Sequence, residues 1–483
     1  MLFAQEKTNI EILNADFTYF DQKRYPDIRR LIGNVEFKHK GAIMSCDSAW
    51  HYFKTDQFKA FNNISINQGD SIFLTGNFLN YDGKTKNAVI RENITLKDNS
   101  VILHTDELEY SIESSIASYK KGASITDADN ILTSIRGNYL SAQKLLIFKE
   151  KVVLVNPDYT INSDTLHYQT MDEIAYFFGP TTIDSDENII YCENGWYNTI
   201  TDISQFSQNA YLWNNNQQLS GDSLYYDRNI GYGLAVENIE IKDTLNDFKI
   251  FGERAEFFEY SDSSIITENP LFVVEFDEDT LYMHADTIVA NLDSSSHRQI
   301  KAYSSSKFYS DNLSGKCKEL YYYTRDSTIQ LYNLPVLWSD DYQLSSDHIV
   351  IFLNNNTIER LELQTNAFIL SKDSLNLFNQ IKGKNMFGFF KRNSLYKINV
   401  MGNGQTVYVI KDEQDKLSGI NTIYCSKMNI TVNDKNIDRI SFQNQPSSII
   451  YPIEELPIEW KRLEGFKNRL SERILTKEDV WKD

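Results

Sequence analysis

The stretch GNFLNY at residues 76–81 carries the pattern that decides the fold, because similar stretches recur along the chain. They read TDELEY at 105–110, SDTLHY at 163–168, GDSLYY at 221–226 and GERAEF at 252–257. Each copy has a small residue, then usually a carboxylate or amide that we call the anchor, and apolar residues two and four places later. Most copies lie about 29 to 32 residues apart, a fixed period that indicates a repeat architecture.

Each repeat contains strand-like segments in which apolar and polar residues alternate. Between the anchors at 77 and 106, such segments lie at 88–90, 94–96 and 101–103, separated by the polar turn at 97–100. Helical spacing is nearly absent before residue 450. The sequence therefore predicts an all-β fold.

Residues two and four places after an anchor share one face of a strand. In most copies, including those with anchors at 138, 286, 318 and 347, this face is apolar and aromatic, so stacked repeats would present a continuous apolar stripe. Its predicted members are Leu79, Tyr81, Leu108, Tyr110, Leu140, Leu166, Tyr168, Leu224, Tyr226, Phe257, Ile288, Leu320, Tyr322, Ile349 and Ile351. Any repeat fold needs such a stripe as its core, so periodicity alone does not decide whether the stripe also binds a ligand.

Composition narrows the classes of function. The 483 residues carry a formal net charge of −19, which argues against nucleic-acid binding because phosphate contacts need clustered Lys and Arg. No stretch approaches the ~20 apolar residues of a transmembrane helix. Residues 1–5 resemble the last part of a secretion signal, a short apolar run that ends in a small residue.

Local motifs for chemistry are missing from the sequence. No His-x-His, His-Glu-x-x-His or Cys-x-x-Cys pattern supports a metal site, and no nucleophile elbow or phosphate-binding glycine loop is present. The four cysteines each lie at or beside an anchor and read as small residues in a tight turn. We expect no enzyme activity, no metal and no cofactor, and a turn role for the anchor acids.

The segment 451–483 differs from the repeats. Leu456, Trp460, Leu463, Leu470 and Ile474 follow helical spacing, with acids early and bases late, which suits a helix dipole. The pattern predicts a C-terminal amphipathic helix that covers the open edge of the last repeat, with a docking helix for a partner as the alternative.

Three phrases resemble the OstA/LptA-like family of lipopolysaccharide-transport proteins, and in particular the long OstA-like proteins of the Bacteroidota type. They are LIGNVEF at 31–37, MSCDSA at 44–49 and LTGNFLNY at 74–81, and the resemblance extends over residues 8 to 450. It implies an elongated β-solenoid or open β-jellyroll (β-taco) over residues 6–450. With one strand spacing of ~4.8 Å per repeat, about 13 rungs would span about 60 Å.

The same resemblance implies a function. Such a protein is secreted to the periplasm, with outer-membrane association, and its apolar inner face shields the acyl chains of lipopolysaccharide or a related glycolipid. The residues of the predicted stripe would then bind lipid, and other lipopolysaccharide-transport components would contact the ends of the solenoid. The chain departs from the family in having about three times as many repeats as its compact bridge protein. The predicted C-terminal helix also argues against symmetrical head-to-tail polymerisation, because it would occupy one end.

Two other readings of the sequence stay open at this stage. One is a β-solenoid enzyme that acts on polysaccharide, or a surface adhesin, although the sequence offers no clustered acid/base pair. The other is a structural scaffold with a filled core. The width of the interior discriminates between a scaffold and a carrier.

Overall fold

Antiparallel strands form nearly all of the regular structure in a computed structural model of the protein. The structure describes residues 10–69, 72–98, 101–127, 129–186, 188–214, 216–275, 279–354, 357–373, 377–391, 394–414, 416–433, 436–452 and 462–482. No α-helix occurs in these ranges, so the prediction of an all-β fold is confirmed. The chain divides into two compact units, Met1–Asn215 with Ser223–Ile230, and Asn216–Asp222 with Gly231–Asp483.

Unit 1 contains seventeen strands and ends within an eighteenth, β18 (Gln217–Asp227). A 3-10 turn at Ser141–Gln143 interrupts the series. The strands are β1 (Glu11–Asn14), β2 (Phe17–Phe20), β3 (Ile28–His39), β4 (Ala42–Tyr52), β5 (Gln57–Gln68), β6 (Ile72–Asp82), β7 (Asn87–Asp98), β8 (Val101–Ser111), β9 (Ile116–Tyr119), β10 (Ala123–Asp127), β11 (Asn130–Ser134), β12 (Arg136–Leu140), β13 (Leu145–Val155), β14 (Tyr159–Gln169), β15 (Ile174–Ser185), β16 (Asn188–Asn198) and β17 (Ile203–Asn214).

Unit 2 continues in the same way and also contains 3-10 turns at Glu259–Ser261, Leu470–Glu472 and Lys477–Trp481. Its strands are β19 (Tyr232–Asp243), β20 (Phe248–Phe258), β21 (Ser263–Thr267), β22 (Leu271–Glu275), β23 (Thr280–His284), β24 (Thr287–Leu292), β25 (Arg298–Tyr309), β26 (Ser314–Tyr323), β27 (Thr328–Tyr332), β28 (Val336–Ser339), β29 (Tyr342–Ser345), β30 (His348–Asn354), β31 (Thr357–Lys372), β32 (Phe378–Lys391), β33 (Ser394–Lys411), β34 (Leu417–Asn433), β35 (Asn436–Gln443) and β36 (Ser447–Pro452).

Most long strands pair with the strand that follows them in the chain. Leu79 of β6, for example, lies opposite Ala60 of β5 and Ile90 of β7, and all three are buried. One repeat of the sequence therefore supplies two antiparallel strands. The predicted length of about 60 Å assumed one strand spacing per repeat. Two strands per repeat instead advance the sheet by about 9.6 Å per repeat. The open jellyroll and the number of rungs stay predictions.

The long strands bend where two successive residues adopt left-handed backbone conformations. In β5 these residues are Asn62 (φ 59°) and Asn63 (φ 46°), and the register with β4 shifts at that point. The Nδ2 atom of Asn63 donates a hydrogen bond of 2.9 Å to Oδ2 of the anchor Asp47. Asn366 bonds to the anchor Asp347 in the same way. This confirms the turn role predicted for these anchor acids.

The bends divide unit 1 into two walls whose inner side chains meet. The anchor wall contains, for example, Ser48–Tyr52, Gln57–Phe61 and Phe78–Asp82, and the facing wall contains Ala42–Ser45, Ile64–Gln68 and Ile72–Thr75. Phe37 of the facing wall stacks on Phe58 of the anchor wall, with ring centroids 4.2 Å apart and both side chains fully buried. The core of unit 1 therefore lies between its two walls.

The C-terminal amphipathic helix is not present in the part of the tail that the structure describes. Leu456 and Trp460, on which the prediction partly rested, lie outside the described residues. Residues 462–482, which we call the strap, contain no strand and consist of irregular chain with a turn at 464–465 and two 3-10 turns. The strap packs against β23–β32 of unit 2, and within the described residues it does not cap an open edge there.

The apolar spacing of the strap has a physical explanation without a helix. Its 3-10 turns place residues three positions apart on one side, which keeps an apolar spacing of three or four residues. Phe466 contacts Phe368 of β31 and Phe378 of β32. Ile474 and Val480 form a buried cluster with Val336 and Trp338 of β28, and Leu470 packs against it.

Candidate functional site: an apolar groove in unit 1

Most residues of the predicted stripe are in the interior. Ten of them are buried and five are half-buried. The buried residues are Leu79, Tyr81, Leu108, Tyr110, Leu166, Leu224, Ile288, Leu320, Ile349 and Ile351. The half-buried residues are Leu140, Tyr168, Tyr226, Phe257 and Tyr322. Their burial fits both a filled core and a lipid-binding face, so lipid binding by this set stays a prediction.

The structure places Tyr139 in the row that the sequence assigned to Leu140. Tyr139 lies opposite Ala117 of β9, and Ala117 in turn lies opposite Tyr110 of β8. Tyr139 therefore shares a face of the sheet with Tyr110. Leu140, one residue further, points to the other face of the strand. The anchor at 138 was therefore misplaced by an odd number of residues, and such a slip exchanges the two faces of a strand.

A column of tyrosines follows the anchor wall at a strict interval of 29 residues. Its members are Tyr81, Tyr110, Tyr139, Tyr168, Tyr197 and Tyr226. Along the paired strands they alternate with smaller residues, Ala88 between the first two and Ala175 between Tyr168 and Tyr197. The strict interval is the signal in the sequence that could have identified Tyr139 and Tyr197.

The first three tyrosines of the column bond to the facing wall, and we call these bonds the clasps. The hydroxyl oxygen of Tyr81 is 2.6 Å from Nδ1 of His39. The hydroxyl of Tyr110 donates to Oε1 of Gln68, and that of Tyr139 donates to Oδ2 of Asp98. The clasps join the two walls over β3–β12.

The facing wall shows where the interior becomes accessible. One row runs directly across its strands, from Met44 through Ile66, Leu74, Leu96, Leu103, Ile125 and Leu132 to Leu154, Ile161, Ile183, Ile190 and Leu212. Every member up to Leu132 is buried. From Leu154 onwards only Ile161 is buried, and the other four are half-buried. Solvent therefore reaches the row beyond Leu132.

The opposite side of the same region is aromatic. Tyr168, Tyr197 and Tyr226 of the anchor wall are half-buried, whereas Tyr81 and Tyr110 are at most 2% exposed. Deeper in the unit, Leu166, Phe177 and Phe206 are buried. These residues define the groove, a part-exposed apolar region over β13–β17 and the unit 1 part of β18, with a buried floor and rims of aliphatic and phenolic side chains. Sequence reasoning missed Leu154, Ile183, Ile190 and Leu212.

The phenols of the groove are neutral near pH 7. Burial and the nearby Asp202 carboxylate raise the pKa of Tyr197, whose hydroxyl donates a bond of 2.5 Å to Oδ1 of Asp202. Burial, helped by Asp158 and Asp202, also raises the pKa of Tyr159 at the edge of the facing wall. Apolar side chains with neutral hydroxyls form a surface that a lipid can contact.

The interior of unit 2 is packed around Phe272 and Ile349. Phe272 contacts Tyr322, with ring centroids 6.2 Å apart, and Ile349 and Ile351 are at most 2% exposed. A cavity of about 10 Å³ is bordered by Tyr342, Ile369 and Thr406, among others. That volume is room for about one water molecule and is far too small for an acyl chain.

The side chains that could carry other chemistry are dispersed. Within the described residues, no three His, Cys, Asp or Glu side chains come together as a metal site. The four cysteines are buried free thiols, and burial raises the pKa of Cys46, Cys192 and Cys317 to about 12. Such thiols are weak nucleophiles at neutral pH. None of the helical segments in the described ranges has the length and hydrophobicity to cross a membrane.

Comparison with known proteins finds a family model that matches the N-terminal part of the chain. The model of a family described as "OstA-like protein" matches residues 7–164 and 163–222, which include the clasps and nearly all of the groove. A search of curated proteins finds no match. One similar solved structure is that of LptH, described as the LptA homologous periplasmic component of the conserved lipopolysaccharide transport device from Pseudomonas aeruginosa.

The likeness to LptH is limited. The two chains share 14% sequence identity over 22% of this chain and 81% of LptH, with a TM-score of 0.21. The family match over unit 1 agrees with the resemblance seen in the repeated phrases. Residues 7–222 are thus similar to the OstA-like protein family.

Proposed function

We propose that the protein is a non-enzymatic periplasmic carrier or bridge that shields the acyl chains of lipopolysaccharide, or of a related glycolipid, on the way to the outer membrane. The observation that carries this proposal is the groove, where the row from Leu154 to Leu212 faces Tyr168, Tyr197 and Tyr226. The match of residues 7–222 to the OstA-like family model supports it, because the resemblance to that family implies lipopolysaccharide transport.

The physical reason is the nature of the groove surface. Burial of apolar area is non-directional and contributes roughly 25 cal/mol per Å², so a row of equivalent aliphatic residues can hold an acyl chain at many positions along it. Such a surface lets a chain slide without a deep single site. The buried floor at Leu166 and Phe206 supplies the dry base against which the chain would pack.

Other transport components would bind at the free edges of the sheet. At the N-terminal side, β1 and β2 pair with β3, and within the described residues neither has a second partner strand. Phe17 is 63% exposed there and Tyr19 is 59% exposed. An exposed edge strand with apolar side chains is a template for a strand of another chain.

The test is photo-crosslinking of the full chain with purified lipopolysaccharide. A photoreactive residue is placed at Tyr168, Tyr197 or Tyr226 in the groove, or at the outward controls Glu109 and His167. We expect strong labelling of the lipid from the groove positions and at least fivefold weaker labelling from the controls. Labelling of the lipid by the controls alone would contradict the proposal.

A structural scaffold is the second candidate, and one observation favours it. The interior is filled over β3–β12 and in unit 2, where Phe37 packs on Phe58 and Phe272 on Tyr322. A scaffold, unlike a carrier, would bind no lipid in the groove. Mass spectrometry of the purified native protein separates the two, because a carrier retains a glycolipid in stoichiometric amounts and a scaffold does not.

A further inference from the structure

The turns that end the anchor wall differ between the two parts of unit 1. The residue three places after each tyrosine of the column lies at the tip of such a turn. In the clasped region, β3–β12, this residue is Lys84, Glu113 or the small Ala142. Beside the groove, an exposed apolar residue lies three or four places after the tyrosine instead. These residues, which we call the apolar tips, are Met171, Ile200 and Ile230, and they are 73%, 62% and 60% exposed.

Backbone hydrogen bonds fix the apolar tips in a row. The N–H of Thr199 donates to the carbonyl of Glu173, in the preceding turn, over 3.0 Å. The N–H of Arg228 donates to the carbonyl of Asp202 over 3.1 Å in the same way. One repeat contains two strands, so neighbouring tips lie about 10 Å apart and the row is about 20 Å long. The tips therefore form a fixed line along the edge of the groove.

The position of the row connects it to the groove. A single exposed apolar residue is ordinary on a protein surface and needs no partner. Here the same kind of side chain recurs at the same turn in three successive repeats, each time directly after a half-buried tyrosine of the groove. Apolar and aromatic side chains thus extend from the interior of the groove to its outer edge.

The charges beside the tips indicate which lipid surface they fit. Within three residues of a tip there are four carboxylates and one guanidinium, which belong to Asp172, Glu173, Asp202, Asp227 and Arg228. An anionic membrane surface would repel this excess of carboxylates, whereas a zwitterionic surface carries no net charge. The row therefore fits a zwitterionic surface better than an anionic one.

We propose that the apolar tips contact the surface of a zwitterionic lipid bilayer and hold the edge of the groove against it. This proposal rests on the function proposed above and adds the surface with which the carrier exchanges its lipid. Three apolar side chains give a weak and reversible contact, because the strength of binding to the interface scales with the buried apolar area. An acyl chain that leaves the groove past Tyr197 then enters the bilayer beside Ile200 without crossing water.

The first test places a polarity-sensitive fluorophore on a cysteine introduced at a turn tip of the full chain. Met171→Cys and Ile200→Cys report on the groove, and Lys84→Cys and Glu113→Cys are matched controls at the equivalent position in the clasped region. The four native thiols are buried and stay unlabelled. On addition of phosphatidylcholine vesicles, we expect emission to rise at least threefold at the apolar tips and less than 1.5-fold at the controls.

The second test is flotation of the full chain with the same vesicles. In the variant Met171→Ser/Ile200→Ser/Ile230→Ser, the bound fraction should fall at least fivefold. The control Leu245→Ser/Leu334→Ser/Ile450→Ser replaces three residues of unit 2 that are 72%, 65% and 63% exposed, and it should bind as well as the unmodified chain. Circular dichroism verifies that both variants are folded, and the fluorophore test decides if the tip variant is not.

Equal emission changes at the tips and at the controls, or an equal loss of flotation in both triple variants, would overturn the membrane contact. Stronger binding to phosphatidylglycerol vesicles than to phosphatidylcholine vesicles would do so as well. Photo-crosslinking of purified lipopolysaccharide from Tyr197, without vesicles, examines the carrier function separately. Labelling by a chain that binds no vesicles overturns the contact and leaves the carrier intact, whereas no labelling from Tyr197 refutes the carrier function itself.

Discussion

At the scale of single residues, the repeated phrase has two separate roles. Its anchor acid lies at the surface and holds the bend of the following strand, as Asp47 does with Asn63. Asparagine suits this bend because its short polar side chain tolerates a left-handed backbone and can bond nearby. The apolar residues two and four places later point inward. The six residues of the phrase thus meet two requirements: they hold the bend of the following strand and they place apolar side chains in the interior.

Replacement of Asp47 by Ala should destabilise unit 1. The change removes the acceptor of the Asn63 bond at a bend where two residues have positive φ, so we expect a loss of about 1 kcal/mol in the free energy of unfolding. Urea denaturation followed by circular dichroism measures it. Asp47→Asn is the control, because it keeps an acceptor oxygen and should lose clearly less. Equal stability of Asp47→Ala and the unmodified chain would contradict the turn role of Asp47.

The residue scale also shows where sequence reasoning reaches its limit. Alternation identified Leu79, Tyr81 and Leu108 as inward-facing because their phrase is well preserved. It failed at Leu140, where the phrase is degenerate and the misplaced anchor reversed the faces. The bonds of Tyr81 to His39 and of Tyr110 to Gln68 were not foreseen, since a period within one wall carries no information about the other.

At the scale of elements, the strap is the segment that departs most from its prediction. Gln343, 1% exposed, holds it by two bonds: its Nε2 donates to the carbonyl of Lys467 over 2.8 Å, and its Oε1 accepts from the N–H of Arg469 over 2.7 Å. Gln380 accepts from the N–H of Leu463 over 2.8 Å. An α-helix would engage many of these backbone groups internally, whereas an irregular strap leaves them available to the glutamines.

Gln343→Ala should loosen the strap. It leaves two backbone groups without their buried partner, and each such loss costs about 1 to 3 kcal/mol. We expect trypsin to cut the strap at Lys467 and Arg469 several-fold faster than in the unmodified chain. Gln364→Ala, a half-buried glutamine on β31 that contacts His348, is the matched control and should leave the rate unchanged.

A cutting rate in Gln343→Ala equal to that of the control would mean that the apolar contacts alone hold the strap. Those contacts explain the error in the sequence reading. Apolar residues at every third or fourth place fit one face of a long α-helix, and they also fit a strap of irregular chain with short 3-10 turns. Only the partner surface at Val336, Trp338 and Phe368 decides between them, and that surface is distant in sequence.

At the scale of the whole molecule, many ionisable side chains are buried in their neutral forms. Burial raises the pKa of Cys46, Cys192 and Cys317 from 9.0 to about 12, and that of Tyr119 from 10.0 to about 12. In the unfolded chain these groups lose their protons at lower pH than in the folded chain. Their contribution to stability is complete below about pH 9 and disappears as the pH rises towards 12.

The urea midpoint should therefore be flat from pH 7 to pH 9 and should fall steadily between pH 9 and pH 11. Denaturation at fixed intervals of pH, with reductant present, measures the change. In the variant Cys46→Ala/Cys192→Ala, the urea midpoint should fall between pH 9 and pH 11 by a smaller fraction of its value at pH 7. A midpoint that stays constant up to pH 11 in the unmodified chain would show that these groups are not protected from ionisation.

Much of the molecule follows from the period of the sequence. The all-β class and the inward position of Leu166 and Ile349 were predictable, because alternation and repetition are local properties. The difference between the clasped region and the groove was not predictable. The tyrosine column is equally regular at Tyr110 and Tyr197, and the change in exposure depends on how the two walls meet.

The pairing of most long strands with the next has a consequence for how the chain folds. Nearly every strand finds its partner within about one repeat, so loop closure is short and a growing sheet can template each new hairpin in order. The strap is the exception, since Leu463 and Arg469 bind glutamines 83 and 126 residues earlier. Its docking can occur only after those strands are in place, which makes it a late and long-range step in an otherwise sequential assembly.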